Sequence, residues 1–420
     1  MRIILIMFMF LSLVACQRKE RKKYNPLNTS MQGKPLEIKD HLPSFLCQSS
    51  VPKEIQINAK KIYQSDSLIE NYTYIRLETC EESLIGDIDE MCADENYLFI
   101  LDKKNQKVLQ FDTNGLFIRS LGSCGRGPHE YVGVCNMAID KNNKEVCLVD
   151  AGAGKLLFFN YKGQCVRVEP MYYMFSEMAF VDSFRVHHVD RAHNENIPSV
   201  DLFHLIVSDK KQEPLYCDFP MSEIHRQSFY FSLPNPLSVG ADGLYYNSPL
   251  SDTLWRVTSK GCDAAYVLKF PDRDVSFTNE EVATMSYDDY SKRKKEMDTY
   301  GGLLHVTRKF VYFTILDKEQ YVSSVLYSRR TGKVRYYGVV QLPQFGKRRL
   351  GDYYANSSFD YLFHDSLFVK VLQPYQVLHR FKSGDDNIYY ESLRREDRRM
   401  LDGWKEEDNP ILMLVNPKSF

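Results

Sequence analysis

The sequence predicts an all-β fold of the β-propeller type, in which small antiparallel sheets close into a ring. Short apolar runs separated by turn signals dominate residues 98–131 (LFILDKKNQKVLQFDTNGLFIRSLGSCGRGPHEY), and Asn114-Gly115 between two such runs is typical of a tight hairpin. The pattern recurs: residues 157–163 (LFFNYKG) repeat residues 109–115 (LQFDTNG), and related segments follow at 204–210, 254–261 and 326–332. A period of roughly 40–50 residues with several strands each indicates propeller blades, because one such sheet cannot bury both faces alone.

Read in order, the repeats predict six blades. Their extents by residue number are 85–131, 136–168, about 178–219, about 236–270, 310–339, and 358–372 together with a last strand at 411–415. Charged, helix-like insertions at about 277–300 and 389–407 interrupt this pattern. The second insertion carries an apolar stripe of Leu393, Met400, Leu401 and Trp404, which fits packing on the ring, with binding of a partner protein as the alternative.

A ring must join its first and last blades, because an open sheet edge can pair with other chains. We expect residues 72–77 to pair with residues 411–415 in one blade. In the alternative arrangement, residues 378–381 supply the missing strand and the C-terminal tail packs outside the ring.

Three segments resemble a known family. They are residues 74–78 (YIRLE), residues 85–86 (IG) and residues 125–131 (GRGPHEY), and they resemble the six-bladed β-propeller lipoproteins of Gram-negative bacteria. In that family a GxGPxEY segment closes the first blade, and residues 409–415 (NPILMLV) fit its usual end. The likeness covers roughly residues 50–420. It implies a six-bladed ring of four-stranded blades but no particular activity, since most of these proteins have none assigned.

The N-terminus has the features of a lipoprotein signal. Arg2 precedes an apolar run at residues 3–11, which is short for a membrane span. Residues 13–16 (LVAC) match the bacterial lipobox, which implies cleavage after residue 15 and acylation of Cys16; an ordinary signal cleaved nearby is the alternative. We therefore expect a signal peptide at 1–15, a lipid anchor and flexible tether at 16–50, and the propeller at 51–420.

The residue after Cys16 is Gln17 and not the aspartate that retains lipoproteins at the inner membrane, so an outer-membrane location is expected. A basic run at residues 18–23 could rest on anionic headgroups or be a solvated linker. Because no acidic run follows Cys16, a periplasm-facing anchor is favoured over surface display.

Composition excludes some functions. The formal net charge is −1, so no chain-wide basic field attracts nucleic acid, and no nucleic-acid partner is expected. The chain has no C-x-x-C, no G-x-S-x-G and no H-E-x-x-H, and we expect no cofactor and no metal site.

The glycine-rich segment at 122–128 (GSCGRGP) is the main candidate loop. Its spacing fits neither G-x-G-x-x-G nor the P-loop, and glycine freedom plus a fixed proline explain a tight passage between blades. Arg126, His129 and Glu130 are the candidate ligand-binding residues of this loop, although Arg126 and Glu130 could instead pair to lock it. The structural interpretation is favoured.

Histidines and tyrosines supply weaker candidates. His187, His188 and His193 cluster, but neighbours on a strand point to opposite faces, which disfavours a shared metal. Several tyrosines near predicted loops could form a glycan platform or simply suit half-buried strands: Tyr172, Tyr173, Tyr230, Tyr245, Tyr246, Tyr353 and Tyr354.

Three functions remain open from the sequence. The favoured one is a non-catalytic binding platform at the cell envelope, anchored in the membrane by lipid and recognising an envelope protein or a glycan. The second is a propeller hydrolase or lyase acting on glycans or small envelope metabolites, which requires ionisable groups converging on the axis. The third is an accessory subunit of an outer-membrane complex, which an exposed apolar patch on the inserted helices would favour. The catalytic residues of an enzyme of this kind are unknown from sequence.

Overall fold

The computed structural model describes residues 21–28, 34–43, 46–47, 51–57, 68–222, 235–240, 242–248, 251–269, 281, 284–294, 296, 299–316, 322–337, 358–364, 366–382, 390 and 393–420. The strands in chain order are β1 (Arg21–Tyr24), β2 (Leu36–Lys39), β3 (Leu46–Cys47), β4 (Lys53–Gln56), β5 (Ile69–Arg76), β6 (Glu90–Ala93), β7 (Tyr97–Asp102), β8 (Lys107–Asp112), β9 (Phe117–Ser120), β10 (Val134–Asp140), β11 (Glu145–Asp150), β12 (Lys155–Asn160), β13 (Cys165–Pro170), β14 (Glu177–Val181), β15 (Phe184–His188), β16 (Phe203–Asp209), β17 (Pro214–Pro220), β18 (Leu237–Gly240), β19 (Gly243–Asn247), β20 (Thr253–Thr258), β21 (Gly261–Lys269), β22 (Thr299–Val306), β23 (Phe310–Leu316), β24 (Val322–Ser328), β25 (Val334–Tyr337), β26 (Tyr361–Phe363), β27 (Leu367–Leu372) and β28 (Ile411–Pro417). The helices are α1 (Tyr287–Lys294), α2 (Pro374–Lys382) and α3 (Arg395–Leu401).

These strands form six antiparallel blades, as predicted. Blades one to five are the consecutive groups β6–β9, β10–β13, β14–β17, β18–β21 and β22–β25. Blade one contains the predicted hairpin, with Gly115 at φ 90° in the turn between β8 and β9, a conformation that glycine adopts without strain. Apolar residues on facing sheets fill the space between neighbouring blades, as Phe99 and Leu101 of blade one do with Leu148 and Phe159 of blade two.

The predicted closure of the ring is confirmed. Blade six has the order β26-β27-β28-β5, so the last strand of the chain lies between β27 and an early strand. Met413 of β28 is the antiparallel partner of Tyr74 in β5. The alternative in which residues 378–381 supply a strand is wrong: they lie in α2, which starts at Pro374 and buries Val377 and Leu378 against the sixth blade.

The inserted helices pack on the ring. In the second insertion, α3 and the residues around it bury Leu393, Leu401 and Trp404 in one cluster with β28, and Met400 packs against that cluster. The apolar stripe is therefore part of the core. In the first insertion α1 buries Tyr290, but β22 already begins at Thr299, so the insertion ends slightly earlier than predicted. The helix α2 was not predicted.

The segment that precedes the ring contains regular structure, and the prediction of an unstructured tether over 16–50 is wrong in that respect. β1 and β2 form a hairpin whose Leu36 and Ile38 are buried against blades two and three, because apolar and charged residues alternate along β2. Short strands β3 and β4 then run parallel to β21 and extend blade four. The domain boundaries themselves stay a prediction, and residues 1–20, including Cys16, lie outside the described residues.

Chain direction defines two faces of the ring. We call the end where the first strand of each blade begins the upper face, and the opposite end the lower face. In a four-stranded meander, the turns between strands one and two and between strands three and four then lie on the lower face. The turns between strands two and three, and the crossovers between blades, lie on the upper face. Within the described part of the chain, no helix is long and apolar enough to cross a membrane.

Candidate functional site in the axial cavity

The axis of the ring holds a cavity of about 1110 Å³. Its wall is formed by residues at or beside the first strand of all six blades, β6, β10, β14, β18, β22 and β26. A cavity at the centre of a closed ring is bounded by rigid strands, so a group placed on these strands is held in a fixed position.

Polar side chains join each pair of neighbouring blades around this cavity. From junction one–two to junction six–one, the bonds run from Met137 N to Glu90 Oε2 (2.7 Å), from Met178 N to Asn136 Oδ1 (3.0 Å), between Tyr246 OH and His188 Nδ1 (3.3 Å), from Val306 N to Ser238 Oγ (2.9 Å), between His305 Nε2 and the Phe359 carbonyl (3.0 Å), and from Tyr361 OH to the Ile88 carbonyl (2.8 Å). At each junction a side chain therefore forms a hydrogen bond between neighbouring blades, and these polar groups of the wall help to hold the ring together.

Glu90 is the most heavily bonded of these groups. Its carboxylate accepts hydrogen bonds from the Asn136 amide and from Met137 N, and Lys103 Nζ lies 3.0 Å from Oε1. Burial raises the pKa of Glu90, and these three partners oppose that shift by favouring the charged form. The Glu90 carboxylate is thus a structural acceptor with its lone pairs occupied.

Glu177 is different. It begins β14 and lines the same cavity, yet no described residue donates a hydrogen bond to its carboxyl group. Burial raises the pKa of Glu177 well above its ordinary value, and the neighbouring Glu90 charge raises it further. A carboxyl group in this position favours its protonated form, or an ion pair with a cation that takes the place of the proton.

Two of the three histidines on the wall, His188 and His305, are neutral near physiological pH. His188 and His305 are 2% and 5% exposed, and burial lowers the pKa of each to about 4. His188 bonds to Tyr246, and His305 bonds to the Phe359 carbonyl. His188 and His305 form hydrogen bonds to neighbouring blades and add no positive charge to the cavity.

The predicted loop residues lie away from the cavity. Arg126 and His129 are exposed on the upper face, in the crossover from blade one to blade two. The Glu130 carboxylate accepts a hydrogen bond from Gly127 N at 2.7 Å instead of pairing with Arg126, and the Glu130 carbonyl accepts one from Lys155 Nζ at 2.6 Å. A Cβ at Gly125 would lie 2.0 Å from Glu130 Oε2, so a larger residue there would displace the Glu130 carboxylate from its bond to Gly127 N. These hydrogen bonds hold the loop in a fixed turn.

The histidine and tyrosine candidates are dispersed. His187 packs between Tyr173 and Phe175, on the side of β15 opposite His188, as strand alternation predicts. The described tyrosine candidates, Tyr172, Tyr173, Tyr245 and Tyr246, are buried and offer no platform for a glycan; Tyr230, Tyr353 and Tyr354 lie outside the described residues.

The described residues offer neither a metal-binding cluster nor a disulfide bond. They contain no group of three or more His, Cys, Asp or Glu side chains that could hold a metal ion. The eight cysteines whose side chains are described form no disulfide bond.

Sequence reasoning did not find Glu90 or Glu177. One signal could have revealed them: each is the first residue of the first strand of its blade, a position that faces the axis at the upper end. Aligning the repeats on that position selects both glutamates, whereas searching for continuous motifs cannot, since axial groups come from separate blades.

Comparison with known proteins identifies a family for this chain and solved structures with a similar fold. Residues 50–416 match the family described as a domain of unknown function, DUF4934. A protein from Bacteroides fragilis that is described as exported has a similar structure, with a TM-score of 0.67, 16% identity, and coverage of 88% of this chain and 100% of that one. A member of the DUF4221 family from Bacteroides vulgatus matches with a TM-score of 0.49 and 10% identity over 84% of this chain and 97% of that one. No curated protein matches the sequence.

Proposed function

The chain belongs to the DUF4934 family of domains of unknown function, and we propose from its axial site that it is a lipid-anchored, non-catalytic binding protein of the cell envelope. The ligand we propose is a small molecule with a cationic amine, held in the axial cavity by Glu177. The observation that carries this proposal is the position of a carboxyl group without a hydrogen-bond donor in a cavity of about 1110 Å³.

Charge around the upper half of the cavity supports a cationic ligand. Asp89, Glu90, Glu177 and Asp190 line it, and the basic group on its wall in this half is Lys103, which pairs with Glu90. An ammonium group beside Glu177 would donate hydrogen bonds to its carboxylate and favour its ionised form. Binding should therefore strengthen as the pH rises through the raised pKa of Glu177.

The anchor is a separate part of the proposal. Residues 13–16 support acylation of Cys16, and Gln17 supports sorting to the outer membrane with the ring facing the periplasm. The protein from Bacteroides fragilis that shares the fold is described as exported, which agrees with this location. Replacing Cys16 with Ser should release the protein from membranes, and membrane attachment that persists in that variant would refute lipidation.

A thermal-shift assay tests the ligand. The panel consists of primary amines, amino sugars and neutral sugars of matched size. We expect the amines to raise the Tm of the protein, because a ligand that binds only the folded state stabilises it by mass action. Glu177→Gln should abolish the shift. Glu195→Gln, which changes an exposed glutamate of the upper face outside the cavity, is the matched control. Shifts with neutral sugars that survive Glu177→Gln would refute the assignment.

One observation favours a second candidate, an axial hydrolase. A carboxyl with a raised pKa beside a second acid is the arrangement that general acid catalysis uses, and Glu177 has this relation to Glu90. An enzyme of this class should turn over aryl glycosides or aryl esters and lose turnover in Glu177→Gln. Saturable binding of amines without turnover of any aryl substrate would exclude it.

A further inference from the structure

Charged side chains are sorted between the two faces of the ring. The lower-face turns of blades two to five carry exposed basic side chains that form no ion pair with a described residue: Lys144, Lys162, Lys210, Lys211, Lys260, Arg308, Lys309, Arg330 and Lys333. The exposed acidic residues of the described lower-face turns are Glu95, Asp182 and Asp242, and Asp242 is paired with Arg329. The lower face therefore presents cations outward.

Other acids on this face are recessed. Asp94, Asp112, Asp140 and Asp209 each open a lower-face turn, and each is half-buried or buried with its carboxylate accepting two backbone N–H bonds of that turn. These carboxylates weaken the positive field but lie behind the lysines. A flat surface that approaches the lower face meets the lysines first.

The upper face has the opposite bias. The exposed acids of its described residues are Glu78, Glu81, Glu82, Asp87, Asp89, Glu195, Asp288, Asp289, Glu296, Glu396, Asp402, Glu406 and Glu407, and the exposed bases are Arg76, Lys104, Arg126, Lys292, Arg394, Arg395, Arg399 and Lys405. A chain with a formal net charge of −1 thus separates its charges across the ring, which composition alone conceals.

An independent observation concerns where the N-terminal segment meets the ring. β1 begins at Arg21, whose Nη1 lies 2.8 Å from Oε1 of Glu213 in the lower-face turn between β16 and β17. The hairpin then runs upward, and Asn28 Nδ2 donates to the carbonyl of Ala153 in an upper-face turn at 2.8 Å. The chain therefore reaches the ring at its lower rim, beside blade three.

The short chain between Cys16 and this contact determines how the ring is oriented relative to the membrane. Only residues 17–20 separate Cys16 from Arg21, and an extended chain spans about 3.3–3.6 Å per residue, so Cys16 lies within roughly 17 Å of the lower rim. A folded domain of about 350 residues is roughly 50 Å across. A tether this short holds the lower rim near the bilayer and leaves the upper mouth of the cavity facing away from it.

We propose that the lower face of the ring is a membrane-facing surface that binds the anionic headgroups of phospholipids. Its orientation rests on the lipid anchor proposed at Cys16, whereas its affinity for headgroups rests on the exposed cations alone. Basic groups near an anionic surface are attracted to it by an amount that corresponds to about a fivefold gain in affinity for each charge.

Sedimentation with vesicles tests the cations without the anchor. The full chain carrying Cys16→Ser is mixed with vesicles of phosphatidylethanolamine and phosphatidylglycerol, and separately with phosphatidylcholine vesicles, at low salt. We expect binding to the anionic vesicles only, weakening as salt is added. Binding to neither vesicle, or equal binding to both, would overturn the proposal.

Two matched variants locate the surface. The lower-face variant combines Lys162→Gln, Lys211→Gln, Lys260→Gln and Lys333→Gln, and should bind the anionic vesicles a few hundredfold more weakly, at about fivefold per charge. The upper-face variant combines Lys104→Gln, Arg395→Gln, Arg399→Gln and Lys405→Gln, and should lose less than about fivefold, the effect of one charge at the surface, because charges far from the membrane are screened. Equal losses in both variants would mean that net charge, not the lower face, drives binding. If inositol hexakisphosphate binds the parent more tightly than vesicles of equal phosphate content do, the surface serves a soluble polyanion and the membrane assignment is wrong.

Lysine acetylation of the wild-type protein in proteoliposomes tests the orientation. Lys162, Lys211 and Lys260 should be protected relative to the same protein in detergent, and Lys104 and Lys405 should not. Uniform labelling, or protection of the upper face, would overturn the orientation. The mass of the N-terminal peptide shows independently whether Cys16 is acylated, so a failed anchor and a failed surface give different results.

Discussion

Asp218 is predicted to make the stability of the ring depend on pH. It lies in β17 and is 3% exposed. Its Oδ1 accepts a hydrogen bond from Phe219 N at 2.8 Å, and its Oδ2 is buried with no hydrogen-bond partner among the described residues. Burial raises the pKa of Asp218 to about 6, although the Phe219 N–H opposes this shift.

The sign of the effect follows from the raised pKa. Between about pH 4 and pH 6 the folded state keeps the Asp218 proton while the unfolded state has lost it, so the stability supplied by protonation is present at low pH and disappears as the pH rises. A shift of about 2 pKa units corresponds to about 3 kcal/mol. Asp218→Asn removes the titration and keeps an acceptor for Phe219 N–H. The stability of the variant relative to wild type should therefore rise by about 3 kcal/mol between pH 4 and pH 8.

Thermal unfolding followed by circular dichroism measures the difference. With an unfolding entropy of about 2.1 cal/mol/K per residue over about 350 residues, 3 kcal/mol corresponds to about 4 °C in Tm. A Tm difference between the two proteins that stays constant from pH 4 to pH 8 would refute the reasoning.

Asp150 supplies a control of opposite sign. It is fully buried, and its carboxylate accepts three backbone hydrogen bonds, from Val132 N (2.9 Å), Gly133 N (3.0 Å) and Ala153 N (3.1 Å). Asp150→Asn turns an amide toward these donors and should cost about 1–3 kcal/mol at neutral pH. The same substitution at two buried aspartates should thus stabilise one site and destabilise the other.

Three further predictions concern the contacts that hold the ring together. Gly125→Ala should destabilise by about 1–3 kcal/mol, because its Cβ meets the Glu130 carboxylate, and a double-mutant cycle with Glu130→Ala should show strong coupling in urea unfolding; additive effects would contradict this. Asp397→Ala should cost about 3 kcal/mol by the same measurement, since it removes the acceptor of two tyrosine hydroxyls of β5, and a loss below 1 kcal/mol would argue against it. Met413→Pro should prevent ring closure, because β28 pairs on both sides; a soluble variant with wild-type circular dichroism would disprove the role of this strand.

The sequence alone determined the architecture of this protein. Recurring runs such as residues 109–115 and 157–163 carry the strand and turn pattern locally, because alternation and Asn-Gly turns act over a few residues. The blade number follows from counting these repeats, and the pairing of residues 72–77 with 411–415 follows from the need to close the ring. The exceptions were helix α2, the strands β3 and β4, and the hairpin of β1 and β2. The strands of that hairpin are too short to stand out in sequence and become stable only against blades two and three.

Only the tertiary structure decided what surrounds the axis and how charge is distributed. Glu90 and Glu177 belong to separate blades, and nothing in either local sequence states that one is fully bonded and the other is not. The same holds for the lysines of the lower face: each sits in an ordinary turn, and they become one surface only when the blades are arranged about a common axis. Strand and turn formation depends on neighbours along the chain, whereas cavities, pKa shifts and charged faces depend on neighbours in space, which the closed ring supplies.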